Sequence, residues 1–276
     1  MPYQQIVVED RDLVRIVTLS RPEKLNAWTR RMSRERVDAI EEGNASDAIG
    51  AFVFTGAGRG FCAGADNGAE FASGSSADDI GKRADGNGDG DNRDADTAGD
   101  GRRDRDWVAL VRGSKPMVAA INGPAVGVGL TLVLPMDYLV AGRSARLSAR
   151  FVRMGLVPEL ASSHFLVQRC GWGAASDLAL SGRMASAEEA RELGLVDRVV
   201  DDEVLLETAI EHATSYAVNP PSAVRMIKDL LTVNGADPDL VAVQRRETER
   251  LREAMASDDH AEAIAAFLEK REPRFR

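Results

Sequence analysis

Residues 115–137 read K-P-M-V-A-A-I-N-G-P-A-V-G-V-G-L-T-L-V-L-P-M-D, an apolar run, a turn motif and a second apolar segment entered through glycines. Its apolar run at 117–121 ends at Asn-Gly-Pro, which predicts a buried strand followed by a turn. The apolar segment that follows predicts a helix entered through Gly127 and Gly129. The first amides of a helix lack intrahelical acceptors and carry the positive end of its dipole. The amide of Val128 is therefore placed to stabilise a negative charge that develops on a carbonyl oxygen.

Another glycine-rich turn lies upstream, and in chain order it is the first of the two. The apolar segment 51–55 predicts a compact strand, and it is followed at 56–66 by G-A-G-R-G-F-C-A-G-A-D. The glycines of this loop let its backbone approach a ligand closely. Ala65 is placed to supply a second amide, so the two turns together predict a site that polarises a carbonyl group.

These two turns resemble the crotonase superfamily, the family of enoyl-CoA hydratases and isomerases. The resemblance covers nearly the whole chain apart from one insert, and its further motifs are R-P-E-K-L-N-A (21–27), L-S-G-R (180–183), A-x-E-L-G-L-V (190–196) and F-L-E-K-R-E-P-R-F (267–275). It implies an α/β fold, a spiral of ββα units with a C-terminal helical region that forms a homotrimer or a dimer of trimers. It also implies an acyl-CoA thioester as substrate, its carbonyl held by the amides of Ala65 and Val128, with no separate cofactor.

The resemblance further assigns residues to the coenzyme A moiety. In the family the segment matching 21–27 lies over the coenzyme A, with a basic side chain near the phosphates, a role that falls here to Arg21 or Lys24. From composition alone the same segment indicates a polar loop that leads into a helix. Phe267, Lys270 and Phe275 would reach the coenzyme A of a neighbouring subunit. The implied binding residues are Arg21, Lys24, Ala27, Ala63, Ala65, Asp66, Val128, Phe267 and Lys270.

The residues that would choose the reaction depart from the hydratase pattern. Hydratases of the family hold a water between two glutamates, and the matching positions here are Thr131 and Phe151. Because addition of water needs a base and an acid beside that water, the sequence predicts a poor hydratase. Glu159, in P-E-L-A-S-S, matches the single catalytic glutamate of the Δ3,Δ2-enoyl-CoA isomerase branch. The residue taken alone favours an exposed loop acid after a proline, and only the match to the family motif favours a catalytic role.

Other functions stay open at this stage. Glu159 could instead serve hydration or another thioester-enolate reaction such as hydrolysis, and the chain could be a non-catalytic acyl-CoA-binding homologue. A nucleophile–base pair of Ser162 or Ser163 with His164 is disfavoured, because adjacent residues of a helix point apart and no G-x-S-x-G motif is present.

Bulk properties limit the class of protein. The chain has 276 residues, of which 44% are hydrophobic, so it can bury one large core with or without a satellite region. The net charge of −9 argues against nucleic acid as a partner. We expect a cytoplasmic protein, because the sequence shows neither a signal peptide nor a long apolar run for a membrane span. Cys62 and Cys170 indicate free thiols, and the histidines lack metal-ligand spacing, so no metal site is expected.

Residues 73–106 interrupt the pattern. They contain ten aspartates, six basic residues and a single large apolar side chain, Ile80, and therefore predict a flexible insert. The spacing D-x-N-x-D-G at 85–90 resembles a calcium loop, although Asp/Gly-rich sequence produces such matches easily. We expect an acyl-CoA-binding core at 1–201 and a helical oligomerisation region at 202–276.

Several local elements can also be predicted. Paired strands are expected at 4–9 and 13–19, and a last strand at 195–200. Thr29 should cap a helix that reaches about Gly43 with Met32, Val37 and Ile40 inward. Pro135 should end the glycine-entered helix early. Further helices are expected at 174–180, after the capping residue Ser186, and along the chain beyond Asp202.

Overall fold

The computed structural model describes residues 3–66 and 106–275. The insert predicted at 73–106 and its candidate calcium loop therefore lie outside the described residues, apart from Asp106. In the described ranges no helix is both long and apolar enough to cross a membrane.

The strands belong to two sheets. In chain order they are β1 (Ile6–Arg11), β2 (Val14–Leu19), β3 (Ala51–Gly56), β4 (Met117–Ile121), β5 (Pro124–Val126), β6 (Tyr138–Gly142), β7 (Arg146–Ser148), β8 (Ala185–Ser186) and β9 (Arg198–Val200). The larger sheet has the order β1-β2-β3-β4-β6-β9, and the smaller one has the order β5-β7-β8. In the larger sheet β1 and β2 are antiparallel, while all other neighbours are parallel.

The helices connect and cover these strands. In chain order they are α1 (Arg30–Ala45), α2 (Trp107–Gly113), α3 (Val128–Thr131), α4 (Ser162–Ser181), α5 (Ala187–Glu192), α6 (Leu205–Ala217), α7 (Pro221–Asn234), α8 (Leu240–Met255) and α9 (Asp258–Glu269). Short 3₁₀ turns lie at Pro22–Lys24, Arg150–Met154 and Asp202–Val204. Parallel strands need crossover connections, which explains why helices and long loops separate most of the strands.

The central strands of the larger sheet are buried on both faces because their side chains alternate between two cores. One face carries Phe52, Phe54 and Ile121 into the larger apolar core, which also takes residues of α1, α3 and α4. The opposite face carries Val53 and its neighbours against α6. That helix presents a stripe with i, i+4 spacing, formed by Leu205, Ala209, Ala213 and Ala217. Each fully buried large apolar side chain contributes about 1.5–3 kcal/mol to stability.

The carboxyl ends of the parallel strands lead into both glycine-rich turns. β3 and β4 run parallel with Val53 opposite Val118, so their carboxyl ends lie at the same edge of the sheet. Both glycine-rich turns leave the sheet there. β5 continues directly from the second turn and pairs with β7 in the smaller sheet. A single bridge between Cys62 and Ala125 joins the first turn to β5.

The predicted elements agree with the structure in kind and differ at their ends. Thr29 caps α1, its hydroxyl oxygen accepting a hydrogen bond from the amide of Met32 at 3.1 Å. Helix α3 is a single turn, as Pro135 predicted. The expected helix at 174–180 is wrong in extent, because α4 starts at Ser162 and passes through a kink at Gly171, whose φ is 73°. The division of the chain at 201/202 stays a prediction.

Candidate active site

Two amide side chains, those of Asn26 and Asn122, fix the position of the first glycine turn (56–66). Asn122, just after β4, donates to the carbonyls of Gly56 and Gly58 at 2.8 and 2.9 Å, and its oxygen accepts from the amide of Gly56 at 3.1 Å. Asn26 is fully buried and donates to the carbonyls of Ala57 and Gly60 at 2.9 and 2.7 Å. Most polar groups of the first turn are thereby satisfied inside the protein, and the turn has one defined position relative to β4.

The amide of Ala65 is left pointing outward by this arrangement. Gly64 has a φ of 113°, a value that favours glycine. Trp28 bonds to the residues on both sides of Ala65: its amide donates to the carbonyl of Gly64 at 2.8 Å, and its carbonyl accepts from the amide of Asp66 at 2.9 Å. In such a bridge the amide of the middle residue faces away from the pairing strand. Ala65 is exposed, so a ligand can reach this donor.

The amide of Val128 is the matching donor on the second turn. Gly127 has a φ of 54° and is fixed by its own amide, which donates to the carbonyl of Ser148 at 2.9 Å. Val128 is the first residue of α3, where an amide has no intrahelical acceptor. Within residues 3–66 and 106–275 no acceptor binds the amide of Ala65 or that of Val128. The two predicted donors are thus available to bind a carbonyl oxygen.

Close packing between the turns brings these donors together. Cys62 donates its amide to the carbonyl of Pro124 at 2.9 Å and accepts from the amide of Val126 at 3.0 Å. A Cβ atom added at Gly129 would lie 2.1 Å from the carbonyl oxygen of Cys62. Only glycine fits at this position, because the backbone of the first turn occupies the space that a side chain would need.

Glu159 lies on an exposed segment beyond the smaller sheet. The chain leaves β7 at Ser148, next to Gly127, and passes through the 3₁₀ turn Arg150–Met154 before it reaches this glutamate. Glu159 is exposed, and its carbonyl accepts from the amide of Ser162 at 2.9 Å. The next two residues, Leu160 and Ala161, have φ values of 52° and 53°. The positive φ values turn the chain sharply into α4.

The two positions that hold glutamates in hydratases contain no acid here. Thr131 is fully buried, and its hydroxyl donates to the carbonyl of Val128 at 3.3 Å. Phe151 is half-buried in the 3₁₀ turn. The nucleophile–base pair that the sequence disfavoured gains no support from the structure: the side chain of Ser162 is buried, whereas His164 is exposed and packs edge-on against Phe165.

Arg21 has a role that sequence reasoning did not anticipate. Its guanidinium donates to the carbonyl of Ala27 at 2.6 Å and to the carboxylate of Asp66 at 2.7 Å, and both charged side chains are only 16% exposed. The pair ties the segment 21–27 to the turn that carries Ala65. Lys24, by contrast, is exposed. Of the two basic residues predicted for coenzyme A phosphates, Lys24 is the one that faces solvent.

Three further residues were predicted to contact coenzyme A: Ala63, Phe267 and Lys270. The amide of Ala63 donates to the carbonyl of Leu25 at 3.0 Å, which fixes the loop but uses up that donor. Phe267 is 82% exposed on α9, and Lys270 ends the same helix with a φ of 55°. Their contact with coenzyme A of a neighbouring subunit stays a prediction.

Sequence reasoning missed one charged residue beside the site. Arg36 on α1 is only 2% exposed, and its guanidinium stacks on the ring of Trp107 at 4.5 Å. The signal was available, because Arg36 lies four residues from both Met32 and Ile40, which had been placed on the buried face. Val37, which had been expected inside, is half-buried.

The α/β fold, with two donor amides at the carboxyl edge of its parallel strands, is the fold of solved crotonase-type enoyl-CoA hydratases. Residues 9–276 match the model of the family described as Enoyl-CoA hydratase/isomerase, and the chain belongs to this family of acyl-CoA enzymes.

Individual relatives agree with this assignment. The 1,2-epoxyphenylacetyl-CoA isomerase of Escherichia coli (strain K12) is 34% identical over 270 residues, which cover 95% of this chain and 94% of the relative. A protein of Rhizobium meliloti (strain 1021) named "Probable enoyl-CoA hydratase" is 31% identical and covers 100% and 99%. The crystal structure of enoyl-CoA hydratase from Bacillus anthracis has a TM-score of 0.83 at 29% identity, covering 99% of both chains.

Proposed function

We propose that this protein catalyses a 1,3-proton shift in an enoyl-CoA thioester, the Δ3,Δ2-enoyl-CoA isomerisation, with Glu159 as the only acid–base residue. The proposal rests on which positions of the site carry a carboxylate. Thr131 and Phe151 stand where hydration needs glutamates, and Glu159 follows on the next segment. One carboxylate is sufficient for a proton shift, whereas addition of water needs two cooperating groups.

The reaction is balanced without an added reagent. The carboxylate of Glu159 removes a proton from C2 of the 3-enoyl thioester, and the electron pair moves into the carbonyl to give a dienolate. The amides of Ala65 and Val128 hold the negative oxygen, and one such donor is worth about 3–4 kcal/mol in the transition state. Glu159 then returns the proton to C4, the double bond shifts to C2–C3, and the carbonyl reforms.

The name of one relative favours a second candidate. The Escherichia coli relative is named 1,2-epoxyphenylacetyl-CoA isomerase, which supports isomerisation of a thioester whose acyl group carries an epoxide. The same two amides and the same carboxylate would serve that reaction. Incubation with each thioester, followed by identification of the product, separates the two candidates.

Coenzyme A binding is part of the proposal. Arg21 already pairs with Asp66, so we assign the phosphate contact to Lys24 and a positioning role to Arg21. Ala27, Ala63 and Asp66 would supply backbone surface around the pantetheine and adenine ends. Since Arg21 holds this segment to the Ala65 turn, movement of one would change the other.

Oligomerisation and location complete the proposal. The helices α7–α9 expose large apolar side chains, among them Leu231 at 68%, Val241 at 77% and Phe267 at 82%. Such a surface supports the predicted homotrimer or dimer of trimers, in which Phe267 and Lys270 would approach a neighbouring coenzyme A. Cys62 and Cys170 are free thiols, which fits a cytoplasmic location.

The substitution Glu159→Gln tests the proposed role directly. It keeps the size of the side chain and removes the base, so turnover of trans-3-hexenoyl-CoA should fall by about 10²–10⁴-fold. Binding of the unreactive hexanoyl-CoA, measured by calorimetry, should stay within twofold of wild type. Glu203→Gln, on an exposed 3₁₀ turn, is the matched control and should leave turnover unchanged. Full turnover in Glu159→Gln would exclude the proposed mechanism.

A further inference from the structure

Arg36 is a buried cation that has no carboxylate partner among residues 3–66 and 106–275, and it lies beside the candidate site. The guanidinium of Arg36 carries five N–H donors, yet its hydrogen bonding among the described residues consists of one long contact, from Nη2 to Ser33 Oγ at 3.4 Å. Its Nε is buried with no acceptor. Stacking on Trp107 offsets part of the cost of burial, but it satisfies none of the donors.

The charge persists at neutral pH. Burial lowers the pKa of Arg36 to about 10, and the thiol of Cys62 is the group that acts in the opposite direction. The side chain is therefore protonated under physiological conditions. A buried cation without a partner is costly, and natural proteins usually pair such a group with an anion. The unsatisfied Nε indicates that the pairing anion is a ligand.

The position of Arg36 relates it to the acyl group. Helix α1 begins immediately after Trp28, whose backbone bonds to the residues that flank Ala65. Arg36 lies seven residues beyond the capping residue Thr29, which is about 10 Å along the helix. Helical side chains lean towards the N-terminus, and the contact with Ser33 shows this direction here. The guanidinium therefore points back towards the N-terminal end of α1, which lies close in sequence to Trp28, the residue that bonds on both sides of Ala65.

Trp107 connects the same residue to the second turn. Its ring is 93% buried, and its Nε1 donates to the carbonyl of Leu132 at 3.0 Å, four residues after Val128. Cys62, which acts electrostatically on Arg36, pairs with β5 just before Gly127. Arg36 thus stacks on a tryptophan that is hydrogen-bonded to the segment directly after the second turn.

We propose that Arg36 is a specificity residue that binds a carboxylate at the far end of the substrate's acyl group, so that the preferred substrates are acyl-CoA thioesters of dicarboxylic acids. This inference deepens the proposed function and rests on an acyl-CoA binding at Ala65 and Val128, but it does not depend on the proton shift. A carboxylate would satisfy Nε and one terminal nitrogen of the guanidinium together, the bidentate geometry that arginine favours.

The test compares thioesters that differ only at the far end of the acyl chain. Calorimetry measures the dissociation constants of adipoyl-CoA, suberoyl-CoA and hexanoyl-CoA for the full-length wild-type protein. At least one of the two dicarboxylic thioesters should bind about tenfold or more tightly than hexanoyl-CoA, the effect expected of a hydrogen-bonded charge pair. Equal or weaker binding of both would overturn the inference.

Two variants assign the effect to this residue. Arg36→Leu should lose the preference and bind hexanoyl-CoA at least as well as adipoyl-CoA, and Arg36→Gln offers a second route if the first variant does not fold. Arg34→Leu, which removes the same charge from the exposed side of α1, should keep the preference. A preference retained in Arg36→Leu or Arg36→Gln would contradict the proposal.

The source of the anion and the chemistry are tested separately. Free acetate at millimolar concentration should not abolish the preference for a dicarboxylic thioester. If acetate stabilised the protein while the three thioesters bound equally well, the assignment of Arg36 to the acyl group would be overturned. Glu159→Gln should retain the full preference for a dicarboxylic thioester. A protein that keeps this preference but does not isomerise any 3-enoyl thioester would refute the proposed reaction and leave the role of Arg36 standing.

Discussion

The two glycine turns and the segment around Glu159 contribute to one candidate site but are built in opposite ways. The turns are held by backbone bonds, by the side chains of Asn26 and Asn122, and by contacts that leave no room for a Cβ atom at Gly129. Glu159 is exposed, and its apolar neighbour Val157 is 80% exposed. One half of the site is part of the folded core, and the other half lies at its surface.

This difference separates two functions. In the proposed mechanism the backbone half sets what the site binds, because its amides would hold the same carbonyl oxygen in any thioester. In the same mechanism the surface half sets the reaction, because Glu159 alone would supply the base. Substitutions in the turns should therefore reduce stability and turnover together, whereas substitutions at the surface should change turnover or binding alone. The following predictions test that separation.

Among the variants that test this separation, Gly129→Ala should have the largest combined effect on stability and turnover. The new Cβ would lie 2.1 Å from the carbonyl oxygen of Cys62, so the two turns must move apart. Misplacing one donor amide should reduce kcat by about 10²–10³-fold, and the melting temperature should fall as well. Gly173→Ala on α4 is the control, because no atom lies within 4 Å of its added Cβ. Wild-type turnover in Gly129→Ala would show that the turns do not position the donors.

Unlike Gly129→Ala, the substitution Arg36→Leu should make the folded protein more stable. Removing a buried charge that lacks a partner should raise the free energy of unfolding by about 2 kcal/mol in the absence of ligand. Urea denaturation followed by circular dichroism measures the change. Arg34→Leu should alter stability by less than about 0.5 kcal/mol, as exposed positions usually do. Destabilisation by Arg36→Leu would mean that stacking on Trp107 outweighs the cost of the buried charge.

A smaller loss is expected for Arg21→Met. The ion pair with Asp66 and the bond to the carbonyl of Ala27 are mostly buried, so their removal should lower the free energy of unfolding by about 1–2 kcal/mol. Arg143→Met removes ion pairs from a side chain that is 61% exposed and should cost less. If Arg21→Met left stability intact and only weakened coenzyme A binding, Arg21 would be a phosphate ligand after all.

The smallest effect is expected for Lys24→Ala. An exposed lysine that contacts phosphate contributes about 1 kcal/mol, so the dissociation constant for hexanoyl-CoA should rise several-fold. The difference from wild type should shrink as salt is added, because exposed charges are screened. Stability should not change. An affinity that is unaltered at low salt would remove Lys24 from the phosphate site.

Much of the backbone half could be predicted from local sequence. Glycine patterns marked both turns, Thr29 marked the start of α1, and Pro135 marked the early end of α3, because each acts on the backbone within a few residues. The start of α4 was missed because Gly171 was also interpreted from its local sequence alone. Gly171 suggested a boundary, whereas the structure uses it as a kink inside a longer helix.

Side-chain partners distant in sequence could not be predicted. Arg21 and Asp66 are 45 residues apart, and nothing in their local sequence distinguishes an ion pair from a phosphate ligand. Arg36 was assigned no role, although its i, i+4 neighbours were expected inside, because arginine on a helix is usually exposed. Only the packing of α1 against Trp107 shows that this charge is buried.

The most direct test of the account is product analysis in water enriched with heavy oxygen. Purified protein is incubated separately with trans-3-hexenoyl-CoA and trans-2-hexenoyl-CoA, and the products are separated and weighed by mass spectrometry. If Glu159 catalyses the proposed isomerisation, the 3-enoyl thioester is converted to the 2-enoyl thioester without uptake of heavy oxygen. Efficient formation of labelled 3-hydroxyhexanoyl-CoA from the 2-enoyl thioester would contradict it, because water would then be activated without the two glutamates.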